Sequence, residues 1–321
     1  MNRTKKYAAI VLLTIIATAC NGAHQGSRMA IERLDIALAD SIDHPQVIDR
    51  YAPAFEAITV SQNLDPRPDA QMARHIASLP YFKIFAPDVR RALPDLTPAE
   101  KQVGEAFAAL SGLFDSIALP RRIVGYVSPY NQMIVRVDTV MLVALNHYLG
   151  PDYPGYSGFD LYLREQKRPA RLPYDIVEST IRTAFPREES AYSTALQAML
   201  YEGATLYTLM RALPDADLAE ALGWKPEQLQ WAVGNEGKIW RKLAADGLLF
   251  TTSKIDIAKL VDPSPATAIV NPEAPGRLGR YVGYRIVEAW MKTHPEEHVA
   301  HLFSPAFQAS QSVLQEAKYT P

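Results

Sequence analysis

The chain has 321 residues, with 33 basic and 35 acidic side chains and a formal net charge of −2. Without Arg3, Lys5 and Lys6, which lie in an N-terminal leader, 30 basic residues face 35 acidic ones and the net charge is −5. That balance excludes the basic surface a nucleic-acid partner favours, while 48% hydrophobic residues are enough for a sizeable core in one large domain.

The leader reads as a signal peptide over residues 1–19. Arg3, Lys5 and Lys6 form its positive region, and Tyr7 to Ala19 its apolar region, which is too short to span a bilayer. Ala17-Thr18-Ala19-Cys20 then reads as a lipobox. Cys20 is the single cysteine, so an intramolecular disulfide is excluded and the thiol is expected to carry lipid. Residues 20–28 form a small, polar tether. A membrane partner is therefore expected through lipidated Cys20. The tether contains no acidic cluster, which points to the periplasmic face.

From Ile31 the pattern reads as helical, with Ile31, Leu34, Ile36 and Leu38 opening it, and it continues through Pro45 to Val60 and Ala70 to Leu79. Thr97-Pro98-Ala99-Glu100 has the form of a helix start, with Thr97 as N-cap, and that helix is expected to reach Asp115. Only Arg121 to Tyr148 looks like sheet. Ile123 to Val127 and Met133 to Val137 are β-rich runs around the turn residues Ser128 to Asn131. Val140 to Leu145 is a buried strand or a short helix, which periodicity alone cannot separate. Gly150 to Pro173, rich in Gly, Pro and Tyr, reads as an ordered loop. Helices are then expected near 174–185, 190–212, 225–246, 254–261, 276–292, 296–303 and 306–317. The whole predicts one predominantly helical α+β domain over 29–321, with a small sheet near 121–147 packed against helices.

Two carboxylates interrupt apolar stripes. Glu178 shares a helix face with Tyr174, Ile181 and Phe185, and Glu202 shares one with Met199, Leu206 and Leu209. Val177-Glu178-Ser179-Thr180-Ile181 sits in the frame of the zinc-protease pattern HExxH, and Glu202-Gly203 follows where a third ligand would stand. The base position and the later acid are present, but Val177 and Ile181 occupy the two histidine positions and cannot bind zinc. No metal or cofactor is expected. Glu178 and Glu202 are therefore either relics of a catalytic frame or members of buried ion pairs. Candidate partners are Arg277, Arg280 and Arg285, because a buried carboxylate must be paired, protonated or metal-bound.

The stretch from Pro275 to Arg285 places three glycines and three arginines at a helix start. It is suited either to an anion or to close packing, with arginines answering buried acids. Trp231, Asn235, Glu236 and Trp240 fall on helical spacing, as a binding face or as core. His294, His298 and His301 do not form a metal set on this reading, since Pro295 opens a helix and leaves His294 outside it. Nucleotide, serine-hydrolase and redox motifs are absent from the sequence.

Taken in order, several segments resemble the gliding-motility lipoproteins of the GldB type from Bacteroidota. They are Ile31 to Asp35, Leu145-Asn146-His147-Tyr148-Leu149-Gly150, the Glu202-Gly203 helix, Leu229 to Trp240, Pro275 to Met291 and the terminal Ala317-Lys318-Tyr319-Thr320-Pro321. Asn146 and His147 depart from the family pattern. The resemblance implies a lipid-anchored envelope protein tied to gliding or to the associated secretion apparatus, with envelope proteins as partners. It also implies a core distantly similar to HExxH metallopeptidases, here a degenerate zincin-like core. A non-catalytic binding or assembly component is the first expectation; an envelope hydrolase and a glycan-capture lipoprotein are the alternatives.

Overall fold

The computed structural model describes residues 28–40, 45–61, 70–187, 193–310 and 312–321. The leader, Cys20 and the tether as far as Ser27 lie outside the described residues, as do residues 190–192 of an expected helix.

The chain is helical with one small mixed sheet, as the sequence predicts. Strands β1 (Ile31–Arg33), β2 (Arg122–Tyr126), β3 (Ile134–Val137) and β4 (Val140–Ala144) lie in the order β1-β2-β4-β3. The β1–β2 and β2–β4 pairs are parallel, while β3 runs antiparallel to β4, with Val124 opposite both Glu32 and Leu142. All five β4 residues are buried. A strand covered on both faces needs a continuous apolar run, which is why Val140 to Ala144 shows no alternation.

β1 corrects one expectation. Ile31 does not open a helix but pairs with Ile123, and Glu32 accepts two hydrogen bonds of 2.7 Å from Arg122 of the neighbouring strand. The helical pattern begins only at α1 (Leu34–Asp40). Three residues are too few to show a period. Glu100 completes this corner: its Oε1 accepts the Ile31 N–H at 2.9 Å and its Oε2 accepts Arg28 Nε at 2.6 Å.

Helices α2 (Pro45–Ser61) and α3 (Ala70–Ser78) match expectation, whereas α4 (Pro80–Ala92) does not figure in it. Pro87 inside α4 reads as a breaker, yet the helix runs through it because Phe82, Ala86 and Val89 bury one face. Helix α5 (Thr97–Leu113) starts one residue earlier than its cap signal implies: Leu96 rather than Thr97 is the N-cap, and the Asp95 carboxylate accepts the Thr97 N–H at 2.9 Å. Two short helical pieces, Pro154–Tyr156 and α6 (Leu161–Arg164), punctuate the expected loop.

The second half supplies α7 (Arg171–Ala184), α8 (Ala195–Ala212), α9 (Leu218–Leu222), α10 (Pro226–Gly234), α11 (Glu236–Ala245), α12 (Lys254–Val261) and α13 (Leu278–Thr293). The single helix expected over 225–246 is two, broken at Asn235. The helix expected at 296–303 is a tighter 3₁₀ turn, Val299–Phe303. The one expected at 306–317 is two short pieces, α14 (Pro305–Gln308) and α15 (Val313–Ala317). One contiguous apolar core runs through these elements from Ile31 to Ala317. Among the described residues, no helix is long and apolar enough to cross a membrane.

Candidate functional site: a buried arginine–glutamate cluster

Helices α8 and α13 cross in backbone contact. A Cβ on Gly203 would lie 2.2 Å from the Gly283 carbonyl carbon, and one on Gly283 would lie 1.8 Å from the Met199 carbonyl oxygen. No side chain fits between the helices there, so both positions require glycine. The crossing brings Glu202, beside Gly203, close to Arg280, one turn before Gly283. Thr194 caps α8 in a capping box with Gln197, which fixes where the helix begins and so where Glu202 points. Helix α7 packs against α8 and contributes Glu178 and Arg182.

These side chains form one cluster. Arg182 forks onto Glu202, Nη1 to Oε1 at 3.0 Å and Nη2 to Oε2 at 2.6 Å, while its Nε donates to Glu178 Oε1 at 2.9 Å. One guanidinium therefore bridges both acids. Arg280 Nη2 donates to Glu178 Oε2 at 2.8 Å, and its Nε lies 3.9 Å from Glu202 Oε2. Arg277 Nη2 lies 3.6 Å from the same oxygen. The Arg280 side chain is fully buried, and that of Glu202 is 6% exposed.

Three guanidiniums against two carboxylates leave one positive charge in excess. Burial alone would raise the Glu178 carboxyl, but the charges of Arg280, Arg182 and Arg277 outweigh it and hold Glu178 well below the usual carboxylate range. Glu202 is lowered in the same way, burial opposing and Arg182 prevailing. Arg277 moves the other way: burial and then the charge of Arg280 push it down to about 10. Among the described residues, Arg280 Nε and Nη1 are buried without a hydrogen-bond partner.

Of the residues singled out from sequence, Glu178, Glu202, Arg277 and Arg280 meet here. Arg285 does not: it pairs with Glu236 at 2.9 Å and Glu288 at 2.8 Å. Arg182 is the member that sequence reading missed. Its spacing from Glu178, one helical turn along α7, was the available signal. In the protease-like frame, Val177 and Ile181 are fully buried members of the apolar core. Among the described residues, no three His, Cys, Asp or Glu side chains converge at metal-binding distance.

Asn235, Glu236 and Trp240 form a second group. Asn235 Nδ2 donates to the Trp231 carbonyl at 2.8 Å, ending α10, and Glu236 opens α11. Glu236 Oε1 accepts the Tyr319 hydroxyl at 2.6 Å, and Tyr319 packs edge-on against Trp240 at 5.1 Å between ring centroids. This patch thus receives the chain's own C-terminal segment.

The two residues that depart from the family pattern are also placed. Asn146 accepts the Ser128 N–H and donates to the Ser128 carbonyl, both at 2.9 Å, as an Asp could not. His147 meets the Tyr130 carbonyl through Nε2 at 2.8 Å and the Lys167 ammonium through Nδ1 at 2.5 Å. A carbonyl only accepts, so the proton is on Nε2 and Nδ1 accepts from Lys167. Of the other histidines, His294 and His301 stack on Trp290 at 4.1 and 5.5 Å.

Of the segments that carry the resemblance, Ile31 to Asp35 and Leu145 to Gly150 lie at the sheet, while the others fall at the arginine–glutamate cluster, the α8–α13 crossing and the patch that receives the C-terminal segment. The model of the family described as "Gliding motility protein GldB" matches residues 21–321. The chain belongs to the GldB family. No curated protein and no solved structure matches it significantly. The GldB-family chain thus keeps Glu178 and Glu202 as a charged knot that ties α7, α8 and α13 together.

Proposed function

We propose that this GldB-family chain is a lipid-anchored envelope protein that acts as a non-catalytic binding or assembly component of the gliding-motility machinery. Membership of the family supports the motility association. The lipobox at Ala17 to Cys20 supports the anchor, and the lack of an acidic cluster over residues 21–28 supports the periplasmic face of the cell or outer membrane.

The observation that carries the non-catalytic reading is the condition of the two acids. A general base for water works best with a pKa near the operating pH. Glu178 is instead depressed by three arginines, with both of its oxygens already accepting hydrogen bonds. Glu202, in the third-ligand position, accepts both arms of the Arg182 fork. Imidazole is missing from both ligand positions, which hold Val177 and Ile181.

The test combines anchoring, metal content and partners. Cys20→Ser should abolish labelling by a clickable fatty acid and leave a longer precursor. Protein purified without chelator should carry no stoichiometric zinc. Cross-linking in intact envelopes should capture the same specific envelope proteins on wild type and on Glu178→Gln. One zinc per chain, lost with Glu202→Ala, would replace this reading with the hydrolase one, and equal labelling of Cys20→Ser would remove the anchor.

A further inference from the structure

A cleft of about 640 Å³ opens beside the cluster. Its walls include Met133, Phe159, Tyr162 and Trp224, and three cations, Lys167, Lys225 and Arg277, also line it. Among the described lining residues Glu165 is the one acid, and it is paired with Lys225 at 3.1 Å. The wall charges that remain are therefore both positive.

Among the described residues, neither remaining cation is fully answered. Lys167 is 4% exposed, and its ammonium rests against the neutral ring of His147 and 4.4 Å from the Phe159 ring centroid. Asp175, the acid whose charge reaches Lys167, is already held by Arg171 at 2.5 Å and by the Tyr148 hydroxyl at 3.1 Å. Burying an ammonium away from a counter-ion is unfavourable. Consistent with this, burial pushes Lys167 down to about 8.

Among the described residues, Arg277 has only long contacts, 3.6 Å to Glu202 and 3.4 Å from its Nε to the Val261 carbonyl. It is also the residue through which the cluster's excess positive charge reaches the cleft. Its backbone is held left-handed at φ +61, and a Cβ on the preceding Gly276 would strike the Ser264 carbonyl oxygen. The segment is thus pinned against the cleft wall in a conformation unusual for an L-residue.

We propose that this cleft binds an organic carboxylate, its charge received by Lys167 and Arg277 and its apolar body lying against Met133, Phe159, Tyr162 and Trp224. A guanidinium fork fits a carboxylate in two-point contact. Apolar walls favour a monoanion over a doubly charged phosphate, whose desolvation is more costly. The inference uses neither the lipid anchor nor an assembly partner, so its failure would leave the proposed function standing.

The experiment uses the full chain in a neutral detergent, probed by saturation-transfer NMR. The probes are 3-phenylpropanoate, the uncharged 3-phenylpropanamide, and inorganic phosphate as a competitor. The carboxylate should bind, the amide should bind about tenfold more weakly or not at all, and phosphate should not displace the carboxylate. Lys167→Met and Lys167→Gln should each weaken the carboxylate about tenfold while keeping a cooperative melt, since neither touches the buried cluster. Equal binding of the amide, displacement by phosphate at similar concentration, no binding of the carboxylate, or carboxylate binding unchanged by both variants would each overturn the proposal.

Discussion

Gly203 and Gly283 touch through their backbones: a Cβ added to Gly203 would fall 2.2 Å from the Gly283 carbonyl carbon. This contact sets the separation of α8 and α13, and so the reach of Arg280 toward Glu178 and Glu202. Gly203→Ala and Gly283→Ala should each destabilise the protein by at least ~1–3 kcal/mol, because backbone cannot step aside as a flexible side chain can. Gly112, with open space around its Cβ position, is the control, and Gly112→Ala should be tolerated. Thermal unfolding of the three variants decides it, and an unchanged midpoint for Gly283→Ala would refute the close approach.

Glu202 is the acid that Arg182 holds with two hydrogen bonds. Glu202→Ala removes both acceptors of the Arg182 fork, leaving that guanidinium with its Glu178 contact, and should destabilise by roughly 3–5 kcal/mol. Glu202→Gln keeps one acceptor and should be milder. Paired denaturant titrations test the order. If both variants unfold like wild type while cells lose motility, Glu202 acts in function rather than in stability.

The cluster also sets an acid limit. Glu178 and Glu202 titrate lower in the folded chain than in the unfolded one. Between the two pKa values the unfolded state binds more protons, so stability falls as pH drops below about 5 toward the folded values. Asp175 and Glu220 are raised by burial and contribute with the opposite sign, so the useful quantity is a difference. The urea midpoint of wild type minus that of Glu178→Gln should be largest near neutral pH and shrink in acid. A gap independent of pH would mean that Glu178 is not held ionised by its arginines.

Lys167 shows its burial on the alkaline side. An unfolded lysine keeps its proton to about 10.4, whereas the folded one releases it at about 8. Over that window the unfolded state binds more protons, and wild type gains stability with rising pH relative to Lys167→Met. Shared tyrosine titrations cancel in the comparison. A flat difference from pH 8 to pH 10 would contradict a desolvated ammonium.

The C-terminal clasp predicts a local signature. Tyr319→Phe removes the hydroxyl that donates to Glu236, which Arg285 still engages, so the change should cost only about 1 kcal/mol. Removing residues 317–321 should do more, because Trp240 loses its edge-on partner and Ala317 leaves the core. Trp emission should shift to the red in the truncated chain and hardly at all in Tyr319→Phe. No shift on truncation would show that the segment does not cover Trp240.

Local chemistry was legible from the sequence wherever one segment decides its own fate. The β-rich run around Ile123 and the boundaries of the Lys254–Val261 helix follow from residue preference and from short-range signals such as Ser253 capping the Asp256 N–H, whereas the apolar run Val140 to Leu145 reads as buried without separating strand from helix. The sequence also showed that Glu178 and Glu202 break apolar stripes and that arginines near 277–280 could answer them. What it could not show is any relationship that depends on distant segments. Ile31 to Arg33 is a strand only because Ile123 lies beside it. Arg280 serves Glu178 across 102 positions of chain, and Arg285, equally plausible on paper, turns to Glu236 instead. Helical period gives the face a side chain occupies, but which neighbour that face meets is set by how helices cross. Here the crossing is decided by two glycines whose close approach exists only once α8 and α13 have packed.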